Sequence, residues 1–373
     1  MTREDNPYDE IKAITPNVME NIDNADVCVV FAGLPDKEDS EGKDRTHLCL
    51  PDEQNALIDE AVKAGKPVVV VLMNGSAVEM PWIQKVNGVI EAYLGGQGVG
   101  NAIAKILFGE VNPSGKLAET FPVRLNDTPC YMNFPGEKEK VEYREGIFVG
   151  YRYYDGADVK PLFPFGHGLS YTEFAYSDLI LDKSEMSDDE VLTVTVKVKN
   201  IGKCAGKEIV QLYVRDVKSD ILRPDKELKG FEKIELLSDE EKIVKFELGK
   251  RSFAFYDVDV SDWRVESGDF EILIGKSSAD IVLSKTICVN STTPVKKHYS
   301  LDSTLYDIKD EPAAAKLLQM MAGGTSGGTD LGMDIDAVLS SIKIRSLVPM
   351  SLIRGESGIS LEQLKDLIAV MNT

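Results

Sequence analysis

Two different periods of apolar and polar positions run along the 373-residue chain. In the first part, short and nearly continuous apolar runs alternate with amphipathic stretches. Val27-Cys28-Val29-Val30-Phe31-Ala32 follows Asp26 and predicts a parallel strand over 26–33, covered on both faces. Leu50-Pro51-Asp52 opens a helix running to Ala64, with Ala56, Leu57, Ala61 and Val62 on one side and Gly65 at its end. A second buried strand over 68–73, a third over 89–94 and a helix over 102–107 follow. Strand, helix, strand, helix predicts an α/β layer with right-handed crossovers. A sheet usually has about five or six strands, so the layer reads as incomplete on its N-terminal side, with residues 1–24 as a surface lead-in.

In the second part the period drops to two. Leu192, Val194, Val196 and Val198 alternate with Thr193, Thr195 and Lys197, the pattern of a half-buried antiparallel strand. Similar runs occupy 209–214, 243–248, 253–258, 270–274 and 281–289, separated by turn signals such as Asn200-Ile201-Gly202 and Glu266-Ser267-Gly268-Asp269. A seven-stranded, immunoglobulin-like β-sandwich is the natural prediction. Beyond it, Gly323-Gly324-Thr325-Ser326-Gly327-Gly328 predicts a flexible joint between short helices. The last helix opens on a capping box, Ser360 with Gln363, and carries Leu361, Leu364, Leu367, Ile368 and Met371 on one packing face.

Charge and composition remove several function classes. Lys and Arg number 42 against 62 Asp and Glu, a formal net charge of −20 that repels phosphate backbones and anionic lipid surfaces. Nucleic acid and membrane are therefore not expected as partners. No apolar run approaches the length of a membrane span, and Met1-Thr2-Arg3-Glu4-Asp5 lacks the basic start of an export signal. Cys28, Cys49, Cys130, Cys204 and Cys288 form no C-x-x-C pair, which fits a reducing cytosol. His47, His167 and His298 are dispersed, so local spacing suggests neither a zinc site nor a Ser-His-Asp triad. No cofactor is expected, and the pattern leaves homo-oligomerisation open.

The candidate chemistry begins in the loop after the first strand, Asp39-Ser40-Glu41-Gly42-Lys43-Asp44-Arg45. By spacing alone, Glu41 is one of several carboxylates there, with Asp36, Glu38, Asp39 and Asp44. Other motifs follow in order: Asn74-Gly75-Ser76-Ala77-Val78-Glu79-Met80-Pro81-Trp82, Gly95-Gly96-Gln97, Asn112-Pro113-Ser114-Gly115-Lys116-Leu117 and Thr120-Phe121-Pro122. The series ends with Tyr143-Arg144-Glu145-Gly146 through Asp155, and Phe163-Pro164-Phe165-Gly166-His167-Gly168-Leu169-Ser170-Tyr171.

Taken together, residues 25–290 resemble the C-terminal portion of a bacterial glycoside hydrolase family 3 β-glucosidase; the tail after 296 resembles an extension of many bacterial members. The fold class this implies is α/β plus all-β. An N-terminally incomplete α/β sandwich domain would occupy 1–168, a fibronectin type III-like domain 169–295 and a helical extension 296–373. The resemblance further implies a retaining, exo-acting hydrolase of terminal β-linked glucose. Such enzymes set two carboxyl groups about 5 to 5.5 Å apart, one attacking the anomeric carbon and the other protonating the leaving oxygen. On this mapping Glu41 is the acid/base, and the nucleophilic aspartate belongs to a preceding barrel domain, in cis or on a separate chain. Glu41 would need a pKa raised by partial burial or by the nucleophile's charge. Asp44 and Arg45 are expected to support the loop, Arg45 by a bidentate carboxylate contact.

Two strings invite other assignments. Ser261-Asp262-Trp263 imitates the surroundings of the family nucleophile, but it lies among sandwich strands, whereas the nucleophile belongs at the end of a barrel strand. Gly95-Gly96-Gln97-Gly98-Val99-Gly100 is a strand-to-helix turn without a completed G-x-G-x-x-G, so tight packing of helix against sheet is the expected reason for its glycines. Without a barrel the chain is expected to be inactive; the alternative is a non-catalytic module that binds a glycan or a partner. Glucose, xylose and arabinose all remain open as the sugar.

Overall fold

A computed structural model describes residues 22, 25–42, 44–258, 260–293, 299–315, 317–318, 335–348 and 360–372. The chain forms two compact units, Met1–Thr292 and Thr293–Thr373.

The first unit opens with a three-stranded parallel sheet, β1 (Cys28–Gly33), β2 (Val68–Met73) and β3 (Gly88–Glu91), in the order β1-β2-β3. β2 is central and is buried along nearly its whole length, as its unbroken apolar run predicts. β1 departs from expectation. Val30 and Ala32 are buried, but Val27, Val29 and Phe31 are 47%, 39% and 37% exposed. The run is apolar on both sides, yet only the face that carries Val30 and Ala32 is buried. Helix α1 (Asp52–Lys63) packs on the sheet through Ile58 and Ala61, while Ala56 is exposed, so its buried stripe lies two residues on from Ala56. Helix α2 (Val99–Leu107) begins three residues earlier than predicted.

A short helix α3 (Tyr151–Gly156) precedes the sandwich. The sandwich pairs a five-stranded sheet, β5-β13-β12-β7-β8, with a three-stranded sheet, β4-β6-β9. Its strands are β4 (Phe174–Leu181), β5 (Glu185–Ser187), β6 (Leu192–Asn200), β7 (Gly206–Asp216), β8 (Glu227–Leu236), β9 (Glu241–Leu248), β12 (Gly268–Gly275) and β13 (Ile281–Asn290). Leu192, Val194, Val196 and Val198 of β6 point inward against Val210 and Leu212 of β7 and Ile272 and Ile274 of β12, realising the predicted alternation. The strand count is eight because the three-residue β5 adds a parallel partner to β13. Sequence periodicity misses β4, β5 and β8; the pairing of β4 is irregular between Ser177 and Ile180, and in β8 the exposed run Phe231-Glu232-Lys233 breaks the alternation of buried and exposed positions. The run 253–258 is not one strand. Lys250–Phe253 is a helical turn that buries Phe253, and β10 (Phe255–Asp257) pairs with β11 (Asp262–Arg264) as a separate ribbon.

In the second unit, Tyr299, Leu305, Ile308, Ile344, Leu347 and Leu364 form the core. The final helix (Leu361–Met371) carries the predicted reciprocal capping box. Leu367, Ile368 and Met371 pack on the core, but Leu361, in the first turn, is 44% exposed. The glycine-rich joint at 323–328 lies outside the described residues.

Candidate active site

All three parallel strands point their C-terminal ends at one edge of the layer, where open α/β sheets place their ligands. The loop after β1 carries Glu41, the loop after β2 is Asn74-Gly75-Ser76-Ala77, and β3 ends at Glu91. Glu41 sits in a turn closed by Gly42, whose φ of 79° suits a residue without Cβ. Its side chain is exposed and, among the described residues, makes no hydrogen bond or ion pair.

Its neighbours are tied down. Asp39 Oδ2 accepts from the Gly75 amide at 3.2 Å. Arg45 Nη1 donates to Ser76 Oγ at 2.8 Å and to the Ala77 carbonyl at 3.2 Å. The Leu48 carbonyl accepts from the Glu79 amide at 2.8 Å, and Cys49 Sγ lies 3.8 Å from Glu79 Oε2. Glu79 in turn accepts from the Leu125 amide at 2.8 Å. The second sequence motif is thus the scaffold against which the first is laced. Arg45 does support the loop, but it uses a hydroxyl and a carbonyl in place of the expected bidentate carboxylate contact. Its Nη2 is buried without a hydrogen-bond partner among the described residues. Asp44 is exposed, and Lys43 lies outside the described residues.

Behind this loop lies a polar cluster that the sequence reading does not single out. Burial pushes Glu91 up to about 7, against the opposing bonds from the Tyr93 amide at 2.9 Å and Asn74 Nδ2 at 3.4 Å. Asn74 is fully buried and its Nδ2 also donates to the Ser76 carbonyl at 2.9 Å. Glu119 is likewise raised by burial, opposed by a bond from the Ala77 backbone and by the charge of Arg45. One signal for Glu91 was available: a carboxylate inside Val89-Ile90-Glu91-Ala92-Tyr93-Leu94. Glu119 had none, because its burial depends on chain segments distant in sequence. Beside the cluster opens a cleft of about 600 Å³, lined by Ser76, Ala77, Glu119, Thr120, Tyr151 and Phe165 among others.

The two imitating strings are accounted for. Asp262 is exposed at the start of β11, and Trp263 packs on the sandwich core under the Arg251 guanidinium, 3.4 Å from its ring centroid. In the glycine-rich turn, a Cβ on Gly95 would lie 2.5 Å from the Val99 side chain, and Gly96 has φ of 65°. The glycines therefore fit the turn against its own helix; those at 98 and 100 meet nothing.

Residues 2–151 match the model of the glycosyl hydrolase family 3 C-terminal domain, and residues 208–278 match that of the fibronectin type III-like domain. The thermostable beta-glucosidase B of Acetivibrio thermocellus is 54% identical over 350 residues, 94% of this chain and 46% of that protein. This chain carries the C-terminal domain of glycoside hydrolase family 3. The chain is also 38% identical over 359 residues to an exo-alpha-(1->6)-L-arabinopyranosidase of Bifidobacterium breve, again 46% of that protein. Among solved structures, the Bifidobacterium adolescentis GH3 beta-glucosidase superposes with a TM-score of 0.74 at 39% identity, covering 82% of this chain and 45% of that one. The chain thus spans about half the length of these relatives and corresponds to their C-terminal part.

Proposed function

We propose that this chain supplies the general acid/base of a retaining exo-β-glucosidase, with Glu41 as the proton donor and acceptor. The observation that carries this reading is the presentation of Glu41: a carboxyl group without a hydrogen bond or ion pair among the described residues, at the C-terminal edge of the sheet, on a loop whose flanks are hydrogen-bonded to Gly75, Ser76 and Ala77. In glycosylation, the protonated Glu41 carboxyl gives its proton to the departing glycosidic oxygen while an aspartate of a barrel domain attacks the anomeric carbon. In deglycosylation, the Glu41 carboxylate takes a proton from the attacking water. Glucose is the proposed sugar, on the β-glucosidase names among the relatives. Five unpaired thiols support a reducing compartment, the cytosol.

The test is turnover of a chromogenic β-glucoside. Residues 1–373 alone should show none, since one carboxyl group cannot carry out both halves of double displacement. Clear, Glu41-dependent turnover by this polypeptide would overturn the dependence on a barrel. Joined to a family 3 barrel domain, Glu41→Gln should slow turnover by roughly 10² to 10⁴, with poor leaving groups affected more than activated aryl glycosides. Equal losses on both would count against the acid role.

A further inference from the structure

The Glu41 side chain makes no hydrogen bond or ion pair among the described residues, yet its loop is not loose. The two side chains that hold it lie on either side of Glu41 in sequence, Asp39 two residues before and Arg45 four residues after. Both reach the same short segment, Gly75-Ser76-Ala77, at the exit of the central strand β2. The approach at the Asp39 end is close: a Cβ on Gly75 would lie 2.9 Å from Asp39 Oδ2. At the other end, the half-buried Arg45 spends one guanidinium nitrogen on a hydroxyl and a carbonyl of that segment. The segment is itself anchored from below, where Asn74 Nδ2 holds the Ser76 carbonyl at 2.9 Å and reaches Glu91. A loop fixed at both feet to a buried strand exit can turn its tip through only a small arc. A proton donor needs that restriction, since about 1 Å of misplacement can cost on the order of a hundredfold in rate.

We propose that Asp39 and Arg45 are positioning residues that aim Glu41 by clamping both feet of its loop to Gly75-Ser76-Ala77. The inference rests on the acid/base reading of Glu41. The clamp has a physical signature that does not depend on catalysis, so the two can fail separately.

The first measurement uses the 373-residue chain as it stands. Asp39→Ala and Arg45→Met should each speed amide hydrogen exchange at 40–42 and 44–45 by at least about tenfold, with exchange in β2 and the melting temperature little changed. Exchange at 40–42 and 44–45 that stays at the wild-type rate would overturn the clamp. Should Arg45→Met not fold, Ser76→Ala removes the same 2.8 Å bond and carries the same expectation.

The second measurement is a double-mutant cycle in the polypeptide that includes a barrel domain, using a glycoside with a poor leaving group. Asp39→Ala and Arg45→Met should each lower kcat by about tenfold to a hundredfold with KM near wild type. In a Glu41→Gln background the same changes should cost less than about twofold, because there is no longer a proton donor to aim. Full additivity would overturn positioning through Glu41 and leave a merely structural role. If Glu41→Gln shows no leaving-group dependence while the exchange result holds, the acid/base reading fails and the clamp stands as a loop anchor only.

Discussion

Lys226 Nζ lies 2.7 Å from Asp155 Oδ2, so an ion pair between a buried lysine and a half-buried aspartate joins the end of helix α3 to the sandwich just before β8. The lysine is 7% exposed, and Arg152 with Glu227 at 3.2 Å and the Leu228 amide on the Tyr151 hydroxyl at 2.8 Å reinforce the same contact. Removing one partner of such a pair strands the other charge in a poorly solvated place. Lys226→Ala is expected to destabilise the first unit by about 2–3 kcal/mol, below the cost of stranding a fully buried charge because Asp155 keeps some solvent, read from urea unfolding. Replacing Lys226 and Asp155 together by apolar residues should recover much of that loss.

Glu91 predicts a pH dependence. Its folded pKa of about 7 lies above its ordinary value of 4.5, so the folded state binds the proton more tightly than the unfolded state does. That contribution is fully present below pH 4.5 and is lost as pH rises through 7. Between those two limits the wild-type chain should lose on the order of 2–3 kcal/mol relative to Glu91→Gln. Paired unfolding curves at pH 5 and pH 8 check this; a constant difference would refute it.

Gly166 combines a φ of 79° with a crowded Cβ position, 2.2 Å from Gln211 Oε1. Gln211 is 3% exposed and fully engaged, donating to the Gly166 carbonyl at 3.1 Å and the Lys276 carbonyl at 2.8 Å while accepting from the Tyr213 hydroxyl at 2.6 Å. Gly166→Ala therefore strains the backbone and disturbs a buried network together. A loss of more than about 2 kcal/mol is expected in denaturant titration.

In the second unit, Ser360 Oγ accepts from the Gln363 amide at 3.2 Å and Gln363 Oε1 accepts from the Ser360 amide at 2.8 Å. Ser360→Ala should cost that unit about 1 kcal/mol, with Ser360→Gly closer to wild type. Circular dichroism of the thermal transition distinguishes the three forms.

Elements whose environment follows from their own residues were legible in advance. β2 is recognised at its true ends, because five of its six residues are buried whichever face is considered. β6 follows from strict alternation and the final helix from its capping box. β8 was not legible, since its outward residues are mixed and only pairing with β7 makes it a strand. The stretch at Phe253 reads as β by composition but turns helical to seat the phenylalanine in the sandwich core.

The sequence by itself determined the α/β-then-β order, the capping box of the last helix and the motifs that mark the family, because each depends on residues close together in the chain. Only the tertiary structure decided that Val29 and Phe31 stay exposed on strand β1, that Arg45 grips Ser76 and Ala77, and that Glu91 and Glu119 are half-buried near the Glu41 loop. Those features belong to pairs of segments tens of residues apart. Burial and hydrogen bonding between such segments exist only once the strands have paired and their C-terminal ends share one edge.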